Sequence, residues 1–206
     1  MGSIQKVSQY IEDWLAKYLR KSKMDGFVVG VSGGIDSAVT STICARTGYP
    51  TLCLEMGIHQ NVSQVSKARN HIQWLKKEYK NVSYHYLSLT KLFNEFCFTL
   101  PNERDNDKKR LALANSRARL RMTTLYYFSA VNNYLVAGTG NKVEDFGIGF
   151  YTKYGDGGVD VSPIADLMKS EVFNLAKYLN VIEEIRNSEP TDGLWDDDRT
   201  DEDQIG

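Results

Sequence analysis

The stretch GVSGGIDSAV at residues 30–39 decides how the chain is read. An apolar run, Phe27-Val28-Val29, enters it, and a segment beginning Ala38-Val39 leaves it. The order is therefore strand, polar glycine loop, helix. At such a junction the first backbone N–H groups of the helix are unpaired and partly positive, and glycines let an anion approach them closely. Ser32 and Ser37 add hydroxyl donors. The loop is not a Walker A sequence, because no Gly-Lys-Ser/Thr follows, and it is not Gly-x-Gly-x-x-Gly. Asp36 is the odd member. A carboxylate aimed at phosphates repels them unless a Mg²⁺ lies between the two. Read alone, the loop is also compatible with a plain turn in which Asp36 is the helix N-cap.

On either side of this loop, helical and strand patterns alternate. Ile4, Val7, Ile11, Trp14, Leu15 and Tyr18 recur at helical spacing before it. After it the pattern predicts helix 36–47, strand 51–56, helix 63–79, strand 82–89, a long helix 109–131, strand 134–138 and helix 170–179. Short, mostly apolar strands separated by helices predict a parallel sheet covered on both faces. Ligands of such sheets bind beyond the carboxyl ends of the strands, which is where residues 30–37 fall. Two segments escape the pattern. Residues 98–108 read as an exposed loop, and residues 138–160 carry seven glycines. A long glycine-rich connection inside a compact domain is commonly functional.

The 206 residues suffice for one sizeable core. A net charge of −1 gives no electrostatic reason to expect nucleic acid or a membrane surface as partner. The total hides an asymmetry: residues 192–203 hold seven acids and one base, leaving a net of +5 elsewhere, which suits small anionic ligands. The three cysteines, Cys44, Cys53 and Cys97, form no C-x-x-C pair and read as buried free thiols of a reducing compartment. With no apolar stretch of membrane-spanning length and no signal-peptide pattern, the expected location is the cytoplasm. His71 and His85 read as structural, whereas His59, just past a strand end, is open to a place beside the nucleotide as well as to a structural role.

Ser32 to Ser37 match S-G-G-x-D-S, the signature of the ATP pyrophosphatase superfamily. The strings NSRARLRM (115–122), GTGNKVE (138–144), YTKYGDGGVD (151–160), PIADLMKSEV (163–172) and PTDGLW (190–195) follow in order. With these, the chain closely resembles the ammonia-dependent NAD synthetases from about residue 4 to its last residue. The resemblance implies an α/β fold, an open five-stranded parallel sheet with helices on both faces, Rossmann-like and akin to the adenine nucleotide alpha hydrolases. Only four strands are evident from periodicity. It implies the amidation of deamido-NAD by ammonia through an acyl-adenylate, with ATP as co-substrate and Mg²⁺ as cofactor. Gly30, Val31, Ser32, Gly33, Gly34, Ile35, Asp36 and Ser37 would then hold ATP, with Thr139, Lys169 and Thr191. Asp36 and Glu144 would ligate the metal and, with Lys169, carry the catalysis. Asn115, Arg119, Lys153 and Asp160 would contact deamido-NAD. Without the resemblance, Glu144 reads as a loop glutamate, Lys169 as a surface lysine, and Arg117, Arg119 and Arg121 as a solvated helix face.

Family members are homodimers with deamido-NAD at the interface, a role open here to the apolar face of residues 4–18 or to the long helix. The sequence departs from the family in two places. Family chains run several tens of residues past DEDQIG to a basic stretch that touches deamido-NAD, so the expectation is a single domain over residues 1–206 lacking that segment. The segment GIHQNVSQ also lacks the arginine that many members place near adenine. The rival readings are another ATP pyrophosphatase, either a GMP-synthetase-type amidation subunit or a tRNA-modifying enzyme, and a non-catalytic ATP-binding module. The pair Asp36 and Glu144 argues against a mere binder, which has less need of two metal carboxylates.

Overall fold

The computed structural model describes residues 2–102 and 104–188. A helix, α1 (Gly2–Ser22), precedes the first strand, β1 (Gly26–Gly30), and the chain then alternates through α2 (Ile35–Arg46), β2 (Thr51–Gly57), α3 (Val62–Glu78) and β3 (Val82–Ser88). Two consecutive helices, α4 (Thr90–Thr99) and α5 (Asp107–Asn132), lead to β4 (Tyr134–Ala137). A π-helical segment, Val143–Ile148, and the helices α6 (Lys169–Tyr178) and α7 (Glu183–Arg186) follow. The strands form one parallel sheet in the order β3-β2-β1-β4, with Val28 beside Leu52 on one side and Val136 on the other.

Both faces of the sheet are covered, so Phe27, Val28 and Val29 are all fully buried, as strands of a doubly covered parallel sheet require. Their side chains alternate between two layers. Phe27 and Val29 pack with Leu15 and Leu19 of α1, Val39 and Ile43 of α2 and Val172 and Leu175 of α6. Val28 packs with Leu52, Leu54 and Val136 against Met122 and Leu125 of α5. Cys53 joins Ala68, Ile72 and Leu75 of α3. The periodic face of α1 is thus core: Ile11, Leu15 and Leu19 are buried, while Trp14 and Tyr18 stay partly exposed. α5 ends where Asn133 turns into the left-handed region (φ 58°), its side-chain amide donating to the Lys23 carbonyl and to Asp25.

The expected fifth strand is not formed among the described residues. After the π-helical segment the chain returns beside β4 but makes only one parallel bridge, Ala137 to Val161. The Asp160 carboxylate accepts the Val136 N–H at 2.8 Å, and the N–H groups of Asp160 and Val161 both donate to the Val136 carbonyl. A side chain therefore takes the place of the next ladder partner. Pro163, with no N–H to donate, follows two residues later. α4 is a second departure, for helix extends to Thr99 and the predicted 98–108 loop is correspondingly shorter. The three cysteines are free; Cys44 and Cys53 are buried, which pushes both thiols up, Cys53 to about 12, whereas Cys97 is only half-buried. Among the described residues no helix is long and apolar enough to cross a membrane.

Candidate active site

A cavity of about 280 Å³ opens at the carboxyl edge of the sheet, lined by Gly30 to Ser37 on one side and by Gly138, Thr139, Glu144 and Lys169 on the other. The loop that forms its floor is braced by its own serines. Ser37 Oγ donates to the Gly34 carbonyl at 2.9 Å and accepts the Ser32 N–H at 3.2 Å, while Ser32 Oγ accepts the Gly34 N–H. Gly33 has φ +92°, and a Cβ there would lie 2.7 Å from the Gln64 carbonyl of α3. Only glycine fits at that point, because the left-handed backbone and the adjacent helix both exclude a side chain.

Asp36 does not cap α2. Gly34 occupies the N-cap position and, having no side chain, makes no cap bond to the helix. The Asp36 carboxylate instead reaches across the cavity, where Oδ2 accepts from Lys169 Nζ at 2.6 Å and Oδ1 from Asn141 Nδ2 at 3.1 Å. Lys169 also donates to Glu144 Oε1 at 3.0 Å. Two carboxylates and one ammonium, separated by up to 133 residues of chain, thus meet at one point. Lys169 reaches them because it opens α6, and Glu144 because it lies in the π-helical segment. Such segments are frequent at functional sites.

The charges are strained against one another. Burial pushes the Glu144 carboxyl up, and the charge of Asp36 pushes it further, against the pull of Lys169. Burial alone would lower the Lys169 ammonium, but Asp36 and Glu144 outweigh it and hold it above the usual lysine value. The site stays one negative charge in excess. Asp145, raised by burial and by the charges of Asp156 and Asp36, adds to that excess. Two converging, partly buried carboxylates beside a phosphate-type loop fit a Mg²⁺, which takes one or two protein carboxylates and completes its shell from water and substrate phosphates.

Asn115, Arg119 and Lys153 gather elsewhere, where α5 meets the glycine-rich connection. Thr152 Oγ1 donates to Asn115 Oδ1 at 2.7 Å, and Arg119 Nε donates to the Lys153 carbonyl at 3.1 Å. Asp160 stands at the sheet margin, bonded to Val136 and to the Tyr126 hydroxyl; burial first, and then this carboxylate, push that hydroxyl up to about 12. Thr191 and the acidic segment 192–203 lie outside the described residues. Two of the three arginines of NSRARLRM leave the solvated face, and Arg119 stays exposed on it. Arg117 is buried over the Phe93 ring, and Arg121 lines the cavity while donating to the Met56 carbonyl.

Of the histidines, His59 does not line the cavity. Its backbone is left-handed (φ 51°), and its ring bonds Asn94 of α4 at 2.7 Å. His71 is buried against Ser41 and Trp74, and His85 stacks on Phe128. Sequence reading passed over Asn141, which is fully buried, holds Asp36 and accepts the N–H groups of Val143 and Glu144. Its signal was its place between Thr139 and Glu144 in GTGNKVE. It also passed over Gln64 and Lys67 of α3, which line the cavity and carried no motif.

A parallel sheet with a serine–glycine loop and opposed carboxylates at its carboxyl edge defines an α/β enzyme that handles nucleotide phosphates. The sequence profile of the NAD synthase family matches residues 7–206, and the chain belongs to that family. The family consists of ligases that carry out the ATP-dependent amidation of deamido-NAD, the final step of NAD biosynthesis. The chain is 39% identical to the NH(3)-dependent NAD(+) synthetase of Carboxydothermus hydrogenoformans, over 98% of its own length and 81% of that protein's. The same identity holds for the Sulfurisphaera tokodaii enzyme of that name, over 98% and 69%. Among solved structures, the NMN synthetase of Francisella tularensis superposes with a TM-score of 0.88 at 35% identity, covering 98% of this chain and 80% of that one. The NH3-dependent NAD synthetase of Campylobacter jejuni superposes with a TM-score of 0.78 at 34% identity, covering 89% and 76%.

Proposed function

We propose that the chain is an ammonia-dependent NAD synthetase whose residues 1–206 act as one synthetase domain and pair as a homodimer. The observation that carries this reading is the meeting of Asp36, Lys169 and Glu144 at the mouth of the 30–37 loop. The loop amides and Ser32 and Ser37 bind the triphosphate of ATP. Asp36 and Glu144 hold Mg²⁺, which supplies charge neutralisation of the phosphates when bound. Lys169 stays protonated and faces the same phosphates, and Thr139 and Thr191 complete the nucleotide contacts. Asn115, Arg119, Lys153 and Asp160 hold deamido-NAD, with the guanidinium fork suited to its pyrophosphate or carboxylate.

The chemistry needs no protein nucleophile. A nicotinate carboxylate oxygen attacks the α-phosphorus of ATP, the α–β P–O bond breaks, and pyrophosphate leaves. Ammonia then attacks the acyl carbon, AMP departs with the former carboxylate oxygen, and the nitrogen loses a proton to give the amide. The residues act by positioning and by preorganised charge. A second reading rests on the likeness to the Francisella NMN synthetase: the acid amidated is the mononucleotide counterpart, and the product is NMN. The deciding assay supplies ATP, Mg²⁺ and ammonium with either acid and quantifies AMP, NAD and NMN. AMP and NAD rising together only when all four components are present establish the first reading. NMN formed in preference to NAD establishes the second, and ATP binding without AMP from either acid leaves a nucleotide-binding module.

A further inference from the structure

Three cations line the cavity among the described residues: Lys67, Arg121 and Lys169. Two are already committed by geometry. Lys169 is held between Asp36 and Glu144, whose combined charge exceeds its own, and Arg121 donates to the Met56 carbonyl of β2. Lys67 is differently placed. It projects from the second turn of α3, is half-buried, and has no carboxylate within ion-pair distance among the described residues. Its Cβ lies 3.3 Å from where a Cβ on Gly33 would stand, so its stem lies directly against the phosphate-type loop. The Gln64 carbonyl and the Ala68 N–H crowd the same glycine, which fixes α3 to the loop and fixes the base of the lysine with it.

We infer that Lys67 is a phosphate-binding residue of this site, supplying the positive charge that receives the inorganic pyrophosphate leaving group from the α3 side. The inference rests on the reading that residues 30–37 hold the triphosphate. The charges favour such a group: the Asp36–Lys169–Glu144 cluster is net negative, Asp145 adds to that excess, and a bound Mg²⁺ leaves less positive charge there than a departing pyrophosphate carries negative charge. A flexible ammonium anchored at its base follows the pyrophosphate as the α–β bond lengthens, which a backbone amide cannot do. The assignment also gives Gly33 a second role, since a side chain there would displace the lysine stem.

The test measures binding of inorganic pyrophosphate and, separately, of AMP to the full chain with Mg²⁺, by calorimetry, in wild type, Lys67→Ala and Lys67→Arg. The expected result is that Lys67→Ala weakens pyrophosphate by about tenfold or more, leaves AMP unchanged, and is largely restored by Lys67→Arg. Under turnover the same variant should raise the KM for ATP and relieve product inhibition by pyrophosphate. Unchanged pyrophosphate binding in Lys67→Ala overturns the inference, and so does an equal loss of AMP and pyrophosphate, which would mark a general lesion of the cavity. Because pyrophosphate leaves at adenylation and AMP at amidation, and binding of neither probe requires an acid substrate, failure of the amidation assay with selective pyrophosphate loss overturns only the functional reading.

Discussion

Asp36 carries its charge in a place where helix geometry alone would not keep it, turned from α2 toward Lys169 and Asn141. Replacing it as Asp36→Asn keeps the volume and the Asn141 contact region but removes the proposed metal ligand. Mg²⁺-dependent AMP release should fall by about a hundredfold or more, with the circular dichroism spectrum and melting temperature close to wild type. Near-normal turnover would sink the metal assignment. Gly33→Ala acts through the backbone instead. It places a methyl group 2.7 Å from the Gln64 carbonyl at φ +92°, at a cost of about 1–3 kcal/mol. Its melting point should drop by several degrees and its affinity for ATP should drop with it; an unaltered ATP titration would show that the loop tolerates a shift of α3. Both residues were legible from sequence because their signal is local, within the six residues Ser32 to Ser37. Asn141 and Lys67 were not, because an asparagine between Gly140 and Lys142 and a lysine on a helix acquire meaning only when α2, α3 and the 138–144 connection are brought together.

At the scale of elements, α2 and α3 are joined by a buried polar seam. Ser41 Oγ donates to the Ser37 carbonyl at 2.7 Å and contacts His71 Nε2 at 3.0 Å, while His71 Nδ1 has no partner. Burial drives the His71 pKa down to about 3, against the small support of the Ala38 carbonyl. The unfolded chain therefore binds a proton between about pH 6.5 and 3 that the folded chain refuses, and stability is full above that range and lost as the pH falls through it. Between pH 7 and 5 this one group should remove about 2 kcal/mol. Urea midpoints at the two pH values check this, and His71→Gln should flatten the difference; an equal slope in that variant would assign the loss to other groups. Helices and strands were predictable here wherever periodicity was strong, as in α1, α3 and the apolar β1 and β2. α4 was not, since Thr90–Thr99 buries only Phe93 and shows too narrow an apolar stripe to be read. The fifth strand was expected from resemblance and fails because Asp160 and Pro163 interrupt it.

For the molecule as a whole, the proposed dimer has a narrower choice of surface than the sequence offered. Ile11, Leu15 and Leu19 of α1 are taken by the core, which leaves Tyr10, Trp14 and Tyr18 on its outer side, whereas Tyr127 and Val131 stand one turn apart on α5 and are more exposed than Trp14 and Tyr18. Sedimentation should give twice the chain mass at micromolar concentration, and the double substitution Tyr127→Glu, Val131→Asp should return the chain to a monomer. A wild-type monomer would refute the pairing, and an intact dimer in the variant would move the interface off α5. The bond between Asp160 and Val136 has a different bearing on the molecule. A sheet whose last strand keeps open N–H and C=O groups is a template on which another chain can add. Here the Val136 N–H, the Val136 carbonyl and the Gly138 N–H are all occupied from within the chain. A residue placed at the margin of the sheet thereby closes the β4 side to strand addition, leaving β3 as the other edge, and a chain without that carboxylate should scatter more light on storage well before it loses its fold.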